Sequence, residues 1–185
     1  MPDYWPHLNA IREARGRAYA ELIGADAKDA YIVDLNCGKA PVFPYVESYA
    51  SYYGNDNQPD FILELKELSN GKPATFEFKD DVDVIVDRCD VLILLGSGAA
   101  SLNGGPSVES RNDFTTFLRL MNDNKPKILI LEFVLEVTLE DSYKTAIAPL
   151  MTEIEEAGYK EDKKLDITFG QGNYMRRVAW KWRRV

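Results

Sequence analysis

The stretch Tyr31-Ile32-Val33-Asp34-Leu35-Asn36-Cys37-Gly38-Lys39-Ala40-Pro41 restricts the possible folds more than any other part of the chain. An apolar run ends in an acid, small and polar residues follow, and Pro41 closes the stretch as a residue suited to the first position of a helix. Val42, Phe43, Val46, Tyr49 and Ala50 then recur at the spacing of one helical face, which predicts strand, tight turn and helix in succession. At the carboxyl end of a central parallel strand, such a turn is where open α/β sheets bind ligands.

The rest of the chain repeats this alternation. Leu8 to Ile23 reads as a helix stopped by Gly24. Ser51 to Asp56 reads as a second strand, Asp60 to Leu68 as a crossover helix and Ala74 to Phe78 as a third strand, after the turn cluster Ser69-Asn70-Gly71-Lys72-Pro73. Val82 to Arg88 is expected to form a short helix. Cys89-Asp90-Val91-Leu92-Ile93-Leu94-Leu95 is a continuous apolar run after an acid, the pattern of a strand buried on both faces. A helix over Phe114–Asn124, a strand over Lys127–Phe133 and a helix over Ser142–Ala157 follow, the last stopped by Gly158. Leu165–Phe169 and Tyr174–Arg183 read as a closing hairpin around Gly170-Gln171-Gly172-Asn173. Along its last strand Val178, Trp180 and Trp182 alternate with Arg177, Lys181 and Arg183, which predicts one face in the core and a charged face outside. No repeat or linker divides the chain. It reads as a single α/β domain over 1–185, with a helical cap over 1–28 and a core over 29–185.

Charge and composition exclude several functions. The net charge of −8 argues against a general nucleic-acid binder and against an anionic membrane surface. No apolar run approaches a membrane span, and the start of the chain lacks signal-peptide character, so a cytoplasmic protein is expected. Cys37 and Cys89 give neither a disulfide framework nor metal-ligand spacing, and Cys37 is expected to be a packed thiol. With His7 the one histidine, His-based catalysis and metal sites are poorly supported.

The first stretch resembles the first motif of the class I S-adenosylmethionine (SAM) dependent methyltransferases: an acid, any residue, then three glycines at alternate positions, often with Cys between the first two. Asp34 matches the acid, and Cys37 and Gly38 match the Cys and the middle glycine. Asn36 and Ala40 stand for the outer glycines. Asn is the residue after Gly that best tolerates a left-handed backbone, and Ala is small enough for close packing. The order of elements and the Glu155-Glu156-Ala157-Gly158-Tyr159 end of the last helix also look like that family. The resemblance implies a three-layer Rossmann-like methyltransferase fold, its mostly parallel sheet ordered 3-2-1-4-5-7-6 with an antiparallel C-terminal hairpin. It also implies SAM as the cofactor.

Candidate cofactor residues follow. Asp34, Asn36, Cys37 and Gly38 belong to the first turn, with Asp34 expected at the methionine end of SAM. Asp56, beside Asn57, stands about 20 residues past the first turn at the tip of the second strand, the usual place for an acid that accepts hydrogen bonds from ribose hydroxyls. By resemblance Asp80, or else Asp81, would bond the adenine amino group. Gly96 and Ser97 would form the wall facing the methyl group and its acceptor. Gly96-Ser97-Gly98-Ala99-Ala100-Ser101 also suggests a dinucleotide fingerprint for NAD(P) or FAD. That reading needs a helix to begin inside the loop, and Asn103-Gly104-Gly105-Pro106 interrupts it. No general base is evident; Glu132, Tyr53 and Tyr4 are placed only by position. The loop after the fourth strand lacks the Asn/Asp-Pro-Pro-aromatic motif used by many amino-methylating members of the family. The acceptor is therefore expected to be a small molecule or a protein. A non-catalytic member of the fold that binds a nucleoside or a partner protein is the alternative, and a homo-oligomer is open.

Overall fold

The computed structural model describes residues 5–96, 108–136, 140–167 and 175–185. Seven strands form one sheet in the order β3-β2-β1-β4-β5-β7-β6, as the resemblance implies. Strands β1 (Tyr31–Leu35), β2 (Ser51–Asp56), β3 (Ala74–Phe78), β4 (Val91–Leu94) and β5 (Ile128–Glu136) run parallel, and β7 (Met175–Arg184) pairs antiparallel with both β5 and β6 (Tyr159–Ile167). The helices are α1 (Trp5–Ile23), α2 (Pro59–Leu68), α3 (Val108–Asn124) and α4 (Glu140–Glu156).

Successive residues of a strand point to opposite faces, so the sheet divides the core in two. Ile32, Ile93, Ile128, Ile130 and Ala179 meet Tyr19, Leu22 and Ile23 of α1 on one face. Val33, Leu92, Leu94, Leu129, Leu131, Trp180 and Trp182 meet Phe117, Met121, Leu150 and Ile154 of α3 and α4 on the other. All four residues of β4 are buried. α1 is thus packed on the sheet over β4, β5 and β7.

Four local expectations are corrected. No helix follows Pro41: a 3₁₀ turn over Phe43–Tyr45 is succeeded by extended backbone at Val46 and a left-handed residue, Ser48. Pro44 explains this, since it cannot donate an intrahelical hydrogen bond and disfavours helical backbone at Phe43. The apolar spacing is used all the same, because Val42, Phe43 and Val46 are buried and Phe43 packs edge-on to Tyr52 and Phe76. A buried apolar turn and one helical face give the same pattern over so few residues. Val82–Arg88 is likewise no helix, holding only the end of a 3₁₀ turn over Asp81–Asp83. β6 begins at Tyr159, directly after Gly158 with φ 89°, six residues before the expected Leu165. Finally, the charged face of β7 is outside only in part, since of its three cations Arg183 alone is exposed. Lys181 is buried and Arg177 half-buried, beneath α1 and the 3₁₀ turn Gly24–Ala27. The expected hairpin turn at Gly170–Asn173 lies outside the described residues.

Candidate functional site

Past the last residue of β1 the chain makes three left-handed turns at alternate positions, with φ of 50° at Asn36, 55° at Gly38 and 41° at Ala40. These are the three positions that the family motif fills with glycine. The left-handed path is adopted here although glycine occupies only the middle position. The path is held by local bonds: Cys37 N donates to Asn55 O at 2.8 Å and Ala40 N to Cys37 O at 2.7 Å. α1 crosses directly over this turn. A Cβ at Gly16 would lie 2.0 Å from the Pro41 carbonyl oxygen, so only glycine permits the approach.

A cleft of about 240 Å³ opens here, between the carboxyl ends of β1 and β4. Asn36, Cys37 and Gly38 form one wall, Leu95 and Gly96 another, and Phe61 of α2 a third. The remaining lining is basic: Arg12 and Arg15 from α1, Lys39 from the turn and Arg177 from β7. Arg12, Lys39 and Pro41 also line a neighbouring hollow of about 270 Å³.

Beneath the cations lies Glu132, fully buried near the middle of β5. Arg15 Nη2 donates to its two oxygens at 3.1 and 2.9 Å, Arg177 Nη1 donates to Oε2 at 3.1 Å, and the Tyr19 hydroxyl donates to Oε1. Burial, followed by the Glu132 charge, pushes the Tyr19 hydroxyl far above the ordinary tyrosine range, so it remains a donor. Glu132 is therefore a counter-ion that orients two guanidiniums. Its oxygens are committed to them, which leaves it poorly placed as a general base.

The predicted site residues divide. Asn36, Cys37, Gly38 and Gly96 line the cleft. Asp34 does not: it is fully buried and accepts a 2.6 Å hydrogen bond from the Tyr52 hydroxyl. Burial, then the Asp34 charge, raises the Tyr52 pKa well above its ordinary value. Asp56 is also buried, and each of its oxygens accepts a backbone N–H, from Gly38 at 2.7 Å and from Gln58 at 2.8 Å. It thus ties the first turn to the start of α2. Asn57 and Asp80 are exposed beyond it. Ser97 and the side chain of Asp81 lie outside the described residues, as does Tyr4. Tyr53 donates to Glu77 at 2.8 Å. Cys37 is buried, as a packed thiol should be. Among the described residues no His/Cys/Asp/Glu group could hold a metal, and no helix is long and apolar enough to cross a membrane.

Sequence reasoning missed Arg12, Arg15 and Arg177. Arg12 and Arg15 are three apart and so neighbours on one helix face, a weak signal that surface arginines share. Arg177 reaches Glu132 diagonally, since Ala179 is the residue paired with Glu132.

The sheet order and the antiparallel C-terminal hairpin define the class I SAM-dependent methyltransferase fold. Solved structures agree. Magnesium protoporphyrin IX methyltransferase from Synechocystis PCC 6803, with bound SAM, superposes with a TM-score of 0.71 at 16% identity, covering 100% of this chain and 85% of that one. The N-methyltransferase NodS from Bradyrhizobium japonicum, in complex with S-adenosylhomocysteine (SAH), gives 0.70 at 11% identity, covering 100% and 93%. A precorrin 8w decarboxylase from Methanobacterium thermoautotrophicum gives 0.60 at 19% identity, covering 91% and 90%. No protein-family model and no curated protein matches the sequence.

Proposed function

We propose that the chain binds SAM in the cleft at the end of β1 and transfers its methyl group to a small-molecule or protein acceptor. The observation that carries this reading is the left-handed path at Asn36, Gly38 and Ala40, which opens onto a cleft between β1 and β4. An unstrained turn would serve structure alone; two non-glycine residues in a costly conformation suggest a path kept for ligand approach. SAM supplies an activated methyl group, so the protein's contribution is alignment of the acceptor. On this reading Asn36, Cys37 and Gly38 pass beneath the cofactor, Gly96 faces the methyl group and Asp80 lies at the adenine end. Asp56 retains lone pairs for ribose hydroxyls beside its two backbone bonds.

The alternative, a non-catalytic protein of this fold, draws on Asp34. Its carboxylate is buried against Tyr52 and not in the cleft, where a cofactor's amino group would look for it. Calorimetric titration with SAH tests binding. Saturation with SAH, and a melting temperature raised by SAH and SAM, are expected. A shift with NAD or NADP in their place would overturn the reading.

A further inference from the structure

The chain carries a net charge of −8, yet the cleft at its switch point is lined by Arg12, Arg15, Lys39 and Arg177 and, among the described residues, by no carboxylate. The local balance is positive. Glu132 is one charge against two guanidiniums, each of which bonds it through a single terminal nitrogen. Lys39 pairs with Glu64 at 2.7 Å, but the Glu64 side chain is 60% exposed, so that pairing is weak and easily exchanged. Arg12 has no carboxylate partner among the described residues. Cations gathered along one concave wall focus their field on whatever enters. Guanidiniums whose free N–H groups converge are suited to carboxylate or phosphate oxygens. SAM does not answer this field, because its sulfonium and ammonium outweigh its one carboxylate.

We propose that the basic wall of this cleft takes an acid besides any SAM, its carboxylate or phosphate held among Arg12, Arg15, Lys39 and Arg177. Where the acid acts as methyl acceptor, the assignment rests on the methyltransferase reading; the anion site itself does not. Glu132 is a positioning residue for it, presetting Arg15 and Arg177, and Glu64 is a competing anion that a ligand displaces from Lys39.

Titration of the full chain with inorganic pyrophosphate at low ionic strength tests the site. Binding is expected, weakened roughly tenfold in Arg12→Gln and in Lys39→Gln. It should tighten in Glu64→Gln and be unchanged in Lys163→Gln, on edge strand β6. Absence of binding, or an equal loss in Lys163→Gln, overturns the proposal, because the attraction would then be absent or merely general. The titration is repeated with saturating SAH. Retained pyrophosphate binding supports an acidic acceptor beside the cofactor, whereas displacement by SAH overturns the acceptor assignment. If SAH itself fails to bind, the methyltransferase reading fails and the anion site is judged by the first titration alone.

Discussion

The two faces of the sheet are built on different chemistry. Toward α3 and α4 the strands present Leu129, Leu131, Phe133, Val178, Trp180 and Trp182, an apolar layer with Phe133 edge-on to Trp180. Toward α1, β1, β5 and β7 present Asp34, Glu132 and Lys181 respectively among their apolar residues, all buried. The first face is a hydrophobic interface that any well-packed helix could cover. The second favours one partner in one place, since Arg15 and Tyr19 of α1 bond Glu132 beside Arg177 of β7, and Ile23 and Asp26 bond Lys181 beside Asp162 of β6. Lys181 Nζ donates to Ile23 O at 3.2 Å and to Asp26 at 2.6 Å, and Arg183 adds two bonds to Asp26. Buried ion pairs contribute little net stability but penalise wrong arrangements. Here the arrangement they specify places Arg12 and Arg15 over the end of β1, so the polar face is also the one that carries the cleft.

The largest test of this contrast replaces neighbours on opposite faces of β5. Glu132→Ala leaves Arg15 and Arg177 without their buried counter-ion and should cost roughly 3–5 kcal/mol. Phe133→Ala should cost about as much through its cavity. The two differ in kind. Removing Arg15 as well should recover part of the Glu132→Ala loss and none of the Phe133→Ala loss, as read from a double-mutant cycle in urea.

Acid separates the faces further. Burial by itself would raise the Asp26 pKa, but hydrogen bonds from Arg183 and Lys181 outweigh it and hold the carboxyl below its ordinary range. Its stabilisation is therefore complete above the unfolded aspartate pKa of about 3.9 and is lost as pH falls through the lower folded value. Asp26→Asn should cost roughly 1.5–3 kcal/mol at pH 7, and the gap from wild type should close below pH ~4. Urea midpoints across pH 2–7 check this; a gap that persists at the acid end would remove Asp26 from the α1 anchor. Phe133→Ala should show no such closing.

The smallest effect concerns the turn that both halves of the site share. A non-glycine residue in left-handed backbone costs on the order of 1–2 kcal/mol, while Ala40 gains from its buried methyl and a stiffer unfolded chain. Ala40→Gly should thus melt within about 1 kcal/mol of wild type. Ala40→Val, β-branched at a buried left-handed position, should lose at least as much as an overpacked core residue, roughly 1–3 kcal/mol. Equal stability in all three would mean that the turn is not held in this conformation.

Strand runs and the closing hairpin were legible because they rest on local patterns: apolar runs of strand length, turn clusters and the stops at Gly24 and Gly158; the sheet order came only from the family resemblance. The left-handed path was legible at Asn36 and Gly38, residues that tolerate it, but not at Ala40, whose small size pointed only to close packing. Of the candidate site, the sequence located the cleft wall at Asn36, Cys37, Gly38 and Gly96. It did not tell that Asp34 is turned into the core, because a strand-end acid has the same sequence signature in either direction. Packing decided the rest. Whether the charged side of β7 meets water or a helix depends on what lies against it, and alternation is silent on that. Arg15 and Glu132 are 117 residues apart, and Lys181 and Asp26 are 155 apart. Interactions over such separations leave no periodic trace in the chain. The local sequence set the elements, and only their assembly brought four cations to one cleft.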